Sequence, residues 1–178
     1  DISKILGACN DRTKLIFLAN PNNPTGTLIS SNEIIDLLDS IPEHTLLVLD
    51  GAYAEYIDKF DSGLSLSQTR DNLFVLRTFS KMYGLASLRI GWGYGSEYIV
   101  NTLLRVRPPF NISLAAQESA AVAMMDTDYV ESCRSKNLVL REKLTKDLRN
   151  IGLNLDKSFA NFVLARFPNS QVASLADD

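Results

Sequence analysis

Apolar runs short enough to be buried strands alternate along this chain with stretches whose apolar residues recur at helical spacing. Leu15 to Ala19 is such a run, bounded by polar residues and read as a strand buried on both faces. It ends in Asn20-Pro21-Asn22-Asn23-Pro24-Thr25-Gly26, a concentration of turn formers. Each proline there fixes its own φ and pushes the preceding asparagine out of the helical region. Ser30 and Glu33 have capping-box spacing, and Ile34, Leu37, Leu38 and Ile41 share one face of a helix that Pro42 ends. Thr45 to Leu49 is a second buried strand, with Asp50 at its C-terminal end. Leu73 to Leu76 is a third, and Arg89 to Tyr94 alternates enough to be a fourth. Ser96 is placed to cap a helix bearing Ile99, Val100, Leu103 and Leu104.

After Arg107-Pro108-Pro109-Phe110-Asn111 the pattern turns helical. Ser113 to Met125 is an alanine-rich helix. A longer one, over about 128–151, carries Val130, Cys133, Leu140, Leu144 and Leu148 and stops at Gly152. Asn161 to Phe167 reads as a further strand, and another helix begins near Leu175. A domain boundary is therefore expected near Asn111, dividing 1–111 from 112–178. Alternation of strand and helix argues for an α/β sheet with helices on its faces, in which ligands sit beyond the carboxyl ends of the strands. Asn23, Asp50 and Lys81 all fall at or just after such ends, which points to one shared site.

Composition narrows the field without naming a chemistry. The 178 residues suffice for one domain with a sizeable core, or for one domain and part of another. Apolar and charged contents of 46% and 22% are ordinary for a soluble globular chain. A net charge of −3 gives no pull toward nucleic acid or an acidic membrane surface, so neither is an expected partner. No apolar run approaches the roughly 20 residues of a membrane span. The opening Asp1-Ile2-Ser3-Lys4 lacks the basic start and apolar stretch of a secretory signal. Cys9 and Cys133 are expected as reduced, packed thiols, which fits a cytoplasmic protein. His44 is the single histidine, expected in an exposed loop, so no His-based triad or metal cluster can be built.

Lys81 leaves the third strand through a hydroxyl-rich turn, with Ser80 before it and Arg89 shortly after. An amine there can form an imine with an aldehyde while hydroxyls and a guanidinium take a phosphate. Each neighbour also has a plainer reading: Asn23 as part of a tight turn, Asp50 as a helix cap, Tyr53 as core filler, Arg89 as a surface or strand-pairing residue. As site residues, the Asn23 amide and the Tyr53 phenol would bond one ligand oxygen. The Asp50 carboxylate would keep a heteroaromatic nitrogen protonated. Gly91, Gly93 and Gly95 do not make a dinucleotide fingerprint, because its third glycine would fall at Ser96.

Together, the Asn20–Gly26 loop, Asp50-Gly51-Ala52-Tyr53 and the Ser80-Lys81 to Arg89 segment resemble the fold type I aminotransferases that use pyridoxal 5′-phosphate. Within them the resemblance is to the histidinol-phosphate aminotransferases. It covers essentially the whole chain, including Arg107 to Asn111 and Ser158-Phe159-Ala160-Asn161-Phe162. It implies the mostly parallel sheet of a large domain followed by the start of a smaller α+β domain. By the same resemblance Lys81 is the Schiff-base lysine, which also moves the substrate's α-proton, and Asp50 pairs with the pyridine nitrogen. Asn23 and Tyr53 would bond the cofactor's phenolic oxygen, and Thr78, Ser80 and Arg89 its phosphate. Pairing of Asp50 in a dry site implies a loss of about 3–5 kcal/mol on truncation.

The parent enzyme would be a homodimer, exchanging an amino group between a small-molecule donor, L-histidinol phosphate, and a 2-oxo acid, 2-oxoglutarate. An aromatic amino-acid aminotransferase, a decarboxylase of a phosphorylated amino acid and the aminotransferase-like ligand-binding module of a transcription regulator stay open. Gly51 stands where many relatives carry an acidic residue, with no effect expected on the chemistry. The family is longer at both ends. Its upstream part supplies a phosphate-binding turn and a ring-stacking aromatic, its downstream part the arginine that grips the substrate. The chain is therefore expected to be the middle of an enzyme and inactive alone.

Overall fold

The computed structural model describes residues 1–167. Helix α1 (Ile2–Ala8) precedes a four-stranded sheet ordered β1 (Leu15–Ala19), β2 (Leu46–Asp50), β3 (Leu73–Thr78) and β4 (Gly91–Tyr94). The first three strands are parallel, so the chain must cross over between them. Helix α2 (Ser31–Ser40) makes the first crossover and the short α3 (Leu64–Ser67) lies in the second. β4 returns antiparallel to β3, in register from Val75 opposite Tyr94 to Thr78 opposite Gly91.

Helix α2 begins as its sequence dictates. The Ser30 hydroxyl accepts from the Glu33 backbone N–H, and the Glu33 carboxylate accepts from the Ser30 N–H at 2.9 Å. That backbone hydrogen bond, with the Ser30 hydroxyl, holds the Glu33 carboxyl below the usual range. The apolar stripe Ile34, Leu37, Leu38 and Ile41 packs on Leu47, Leu49, Leu73 and Val75 to form the core. Ile2, Ile5 and Leu6 of α1 join its rim, an element too short for the sequence period to reveal.

β1 departs from expectation. Successive side chains point to opposite faces, and α2 covers only one. Ile16 and Leu18 face the core, whereas Leu15 and Phe17 are 53% and 73% exposed. The glycines of β4 have a packing reason: a Cβ on Gly93 would sit 2.5 Å from the Phe74 ring.

Helix α4 (Glu97–Val106) follows Ser96, but that hydroxyl reaches the Asp71 carbonyl instead of capping its own helix. Helix α5 (Leu114–Met125) is capped by Ser113, whose hydroxyl accepts from the Ala116 N–H at 3.1 Å. Helix α6 (Thr127–Asn150) is followed by Gly152 at φ 90°. A small antiparallel pair, β5 (Asn154–Leu155) with β6 (Ala165–Arg166), comes next. The strand expected over 161–167 is thus reduced to two residues. Just before it, the Ala160 carbonyl is held by Arg141 and Asn137 of α6 rather than by a ladder. The helix expected from Leu175 lies outside the described residues. Cys9 and Cys133 are free thiols and His44 is exposed. Among the described residues no helix is long and apolar enough to cross a membrane.

Candidate active site

The three parallel strands end side by side, with Ala19 opposite Asp50 and Asp50 opposite Leu76. Two further bonds fasten these ends: the Asn20 N–H to the Asp50 carbonyl and the Gly51 N–H to the Leu76 carbonyl, each 2.9 Å. Asn20 is fully buried. Its side chain donates to the Ile29 carbonyl at 2.9 Å and accepts from the Ile29 N–H at 2.8 Å, closing the base of the proline loop. Inside the loop, both Asn–Pro bonds are cis and Gly26 donates to the Asn22 carbonyl at 2.7 Å. Thus braced, the loop presents Asn23, whose Nδ2 donates to the Tyr53 hydroxyl at 3.1 Å. Tyr53 is only 6% exposed, and the Lys81 Nζ lies 5.4 Å from its ring centroid. Asn23, Tyr53 and Lys81 form one cluster.

A cavity of about 620 Å³ lies at the same strand ends, lined by Asp50, Thr78, Ser80, Lys81 and Arg89 among others. The Ser80 N–H donates to the Thr78 hydroxyl at 3.1 Å. Arg89 holds a left-handed backbone, φ 52°, which is uncommon for a side-chain-bearing residue. Its Nη1 donates to the Ala86 carbonyl at 2.8 Å and reaches the Ser80 hydroxyl at 3.5 Å. Asp50 does not cap the helical turn that follows, which begins after Tyr53 without a side-chain cap; its Oδ1 instead accepts from the Ala52 N–H at 2.9 Å in a local turn. All seven residues singled out from the sequence therefore meet. Five line the cavity, and Asn23 and Tyr53 join it through Lys81.

One expectation fails. Asp50, Lys81 and Arg89 are exposed, not enclosed in a dry site. The cost of about 3–5 kcal/mol for stranding a buried charge does not apply at Asp50, because water screens its carboxylate. The donor set itself fits a phosphorylated heteroaromatic aldehyde. Two hydroxyls and a guanidinium suit the phosphate, an amine the aldehyde, and a carboxylate a basic ring nitrogen. A larger cavity, about 860 Å³, runs along α6 and contains none of the seven.

Two features escaped the sequence reading. Arg77, 7% exposed, lies beneath the strand end that carries Asp50. Its Nη1 donates to the Gly51 carbonyl at 3.3 Å, its Nη2 to the Asp61 carbonyl at 2.6 Å, and its Nε is 3.6 Å from Glu55 Oε1. A Cβ on Gly51 would collide with Nη1. Burial pushes the Glu55 carboxyl up and the Arg77 guanidinium down, so desolvation outweighs their mutual attraction. Gly51 directly after Asp50 was the only local signal of this arrangement. The second feature is what the segment 158–162, named from the sequence only as part of the resemblance, touches in the fold. The Phe159 N–H donates to the Gly26 carbonyl at 2.8 Å, Ser158 occupies the space a Cβ on Gly26 would need, and Phe162 meets Tyr53 edge-on at 5.2 Å. No local pattern announces contacts so distant in sequence.

Comparison with known proteins adds an independent line. The family described as aminotransferase class I and II matches residues 1–177. The histidinol-phosphate aminotransferase of Dinoroseobacter shibae is 49% identical over 178 residues, which is 100% of this chain and 49% of that protein. That of Ruegeria pomeroyi is 50% identical over 177 residues, 99% of this chain and 49% of the relative. The crystal structure of histidinol-phosphate aminotransferase from Sinorhizobium meliloti in complex with pyridoxal-5′-phosphate matches with a TM-score of 0.88 at 29% identity. It is covered for 48% of its length by 99% of this chain. The chain spans about half the length of the curated relatives it matches.

Proposed function

Because this chain belongs to the class I and II aminotransferase family, with the α/β sheet of fold type I, we propose that its cavity binds pyridoxal 5′-phosphate. We further propose that the complete protein transfers the amino group of L-histidinol phosphate to 2-oxoglutarate. The observation that carries the reading is the meeting of the Lys81 amine, the Asp50 carboxylate and the Thr78, Ser80 and Arg89 donors in a single cavity.

Bound there, the cofactor supplies an electron sink for the charge left when a substrate loses its α-proton. Thr78, Ser80 and Arg89 donate to its phosphate, the guanidinium adding charge to the hydrogen bonds. Asp50 pairs with the ring N–H and keeps that proton in place. The Asn23 amide and the Tyr53 hydroxyl, already joined to each other, orient the ring through its phenolic oxygen. Lys81 Nζ would hold the cofactor through its aldehyde and, as a free amine, would be the base that takes the proton from the substrate Cα.

On this reading 1–111 is part of the large cofactor-binding domain and 112–178 begins the small one. The first sheet lying within 15–94 and the second within 154–166 support that division. The complete protein is a cytoplasmic homodimer acting on small molecules, with neither nucleic acid nor membrane as partner.

The test is chemical trapping. Complete protein incubated with pyridoxal 5′-phosphate, reduced with borohydride and digested should carry the cofactor on the Lys81 peptide, with nothing retained in Lys81→Ala. No adduct overturns the reading. An adduct together with turnover of aromatic amino acids only, or with release of carbon dioxide, keeps the cofactor and moves the substrate to one of the other classes.

A further inference from the structure

Tyr53 is held from three sides. Asn23 Nδ2 donates to its hydroxyl at 3.1 Å, Lys81 Nζ stands 5.4 Å from its ring centroid, and the edge contact with Phe162 comes at 5.2 Å and 87°. Tyr56 is a looser neighbour, tilted at 6.4 Å. The first two contacts are made by residues at the strand ends. Phe162 belongs to the far end of the chain, and its segment is anchored twice. On one side the Phe159 N–H binds the Gly26 carbonyl in the loop that carries Asn23, with the buried Ser158 seated over Gly26. On the other, Arg141 Nη1 donates to the Ala160 carbonyl at 2.6 Å and Asn137 reaches the same oxygen at 3.4 Å. The same five residues therefore brace the Asn23 loop through Phe159 and the Tyr53 ring through Phe162.

We propose that Phe162 is a positioning residue, which fixes the plane of the Tyr53 ring so that its hydroxyl stays in line with Asn23 and the ligand oxygen both would bond. The physical basis is the aromatic quadrupole: an edge-to-face pair has a preferred angle, whereas an aliphatic side chain of similar bulk fills the space without fixing the ring. Tyr53 has two torsions to settle, and its Asn23 bond constrains only the oxygen end. Phe162 supplies the missing orientation from behind.

The inference rests on the cofactor reading above, and the experiment separates the two. Complete protein loaded with pyridoxal 5′-phosphate is titrated, following the pH midpoint at which the visible absorbance changes. Removing a donor from the ligand's phenolic oxygen makes that oxygen more basic, so Tyr53→Phe raises the midpoint. Phe162→Leu should raise it in the same direction by about half a pH unit, the scale of an aromatic pair. Phe162→Tyr, which keeps the ring edge, should leave it at the wild-type value. In Phe162→Leu combined with Tyr53→Phe the Leu change should add nothing further. If the Leu variant does not fold, Phe162→Met is read in its place. A wild type without a visible band overturns the cofactor reading and the inference with it. A band whose midpoint is unmoved by the Phe162 change, moves equally in Phe162→Tyr, or moves additively with Tyr53→Phe overturns the Phe162 assignment alone.

Discussion

Arg77 carries its charge into the interior beneath Asp50 and comes within 3.6 Å of Glu55, one of whose carboxylate oxygens is buried without a partner among the described residues. Gly51 is what leaves room for the guanidinium. Gly51→Ala must therefore displace a side chain already bonded to two carbonyls, and should cost about 1–3 kcal/mol in urea unfolding, the range for overpacking. An unchanged midpoint of unfolding would show that Arg77 has another place to go. The Glu55 carboxyl gives a pH signature as well. Burial raises it above 4.5 in the folded state, so the folded chain holds its proton to higher pH than the unfolded chain does. Stability from this group is present below 4.5 and is lost as pH rises through the raised folded value. Wild type should accordingly lose stability relative to Glu55→Gln over that window. A difference that stays flat with pH would mean the carboxyl titrates normally.

At the level of elements, the parts set by local chemistry were legible. The capping box of α2, its apolar stripe and the three parallel strands follow from patterns a few residues long. Ser30→Ala should cost about 1 kcal/mol in the same unfolding assay, because it strands a backbone N–H at the helix start. A change within error would mean water caps the helix equally well. What depends on distant neighbours was not legible. The apolar run of β1 could not show that one of its faces would lie open. Ser96 is a good cap by type, yet its hydroxyl turns to Asp71. The stretch 161–167 has the composition of a strand, but α6 reaches over with Arg141 and takes the carbonyl at 160. The site divides in the same way. Turn formers, a carboxylate and an amine at strand ends could be picked out one by one, whereas Gly51 against Arg77 and Phe162 against Tyr53 exist only once the chain is folded.

For the molecule as a whole, the strand ends gather an amine, a carboxylate and phosphate-type donors, while Asp50, Lys81 and Arg89 remain open to water. The chain matches its relatives over about half their length. Transamination needs a site that excludes water and grips the substrate, so the 178 residues alone should show no measurable turnover. Turnover by the isolated chain would mean that these residues already form a sufficient site. The proposed function depends on Lys81 and Asp50 addressing the same small ring from the ends of two strands. That can be read from the ring-nitrogen NMR shift of isotope-labelled pyridoxal 5′-phosphate bound to the complete protein at neutral pH. The shift should be that of a protonated pyridine in the wild type and of an unprotonated one in Asp50→Ala. The same shift in both proteins would contradict a shared site for these two side chains.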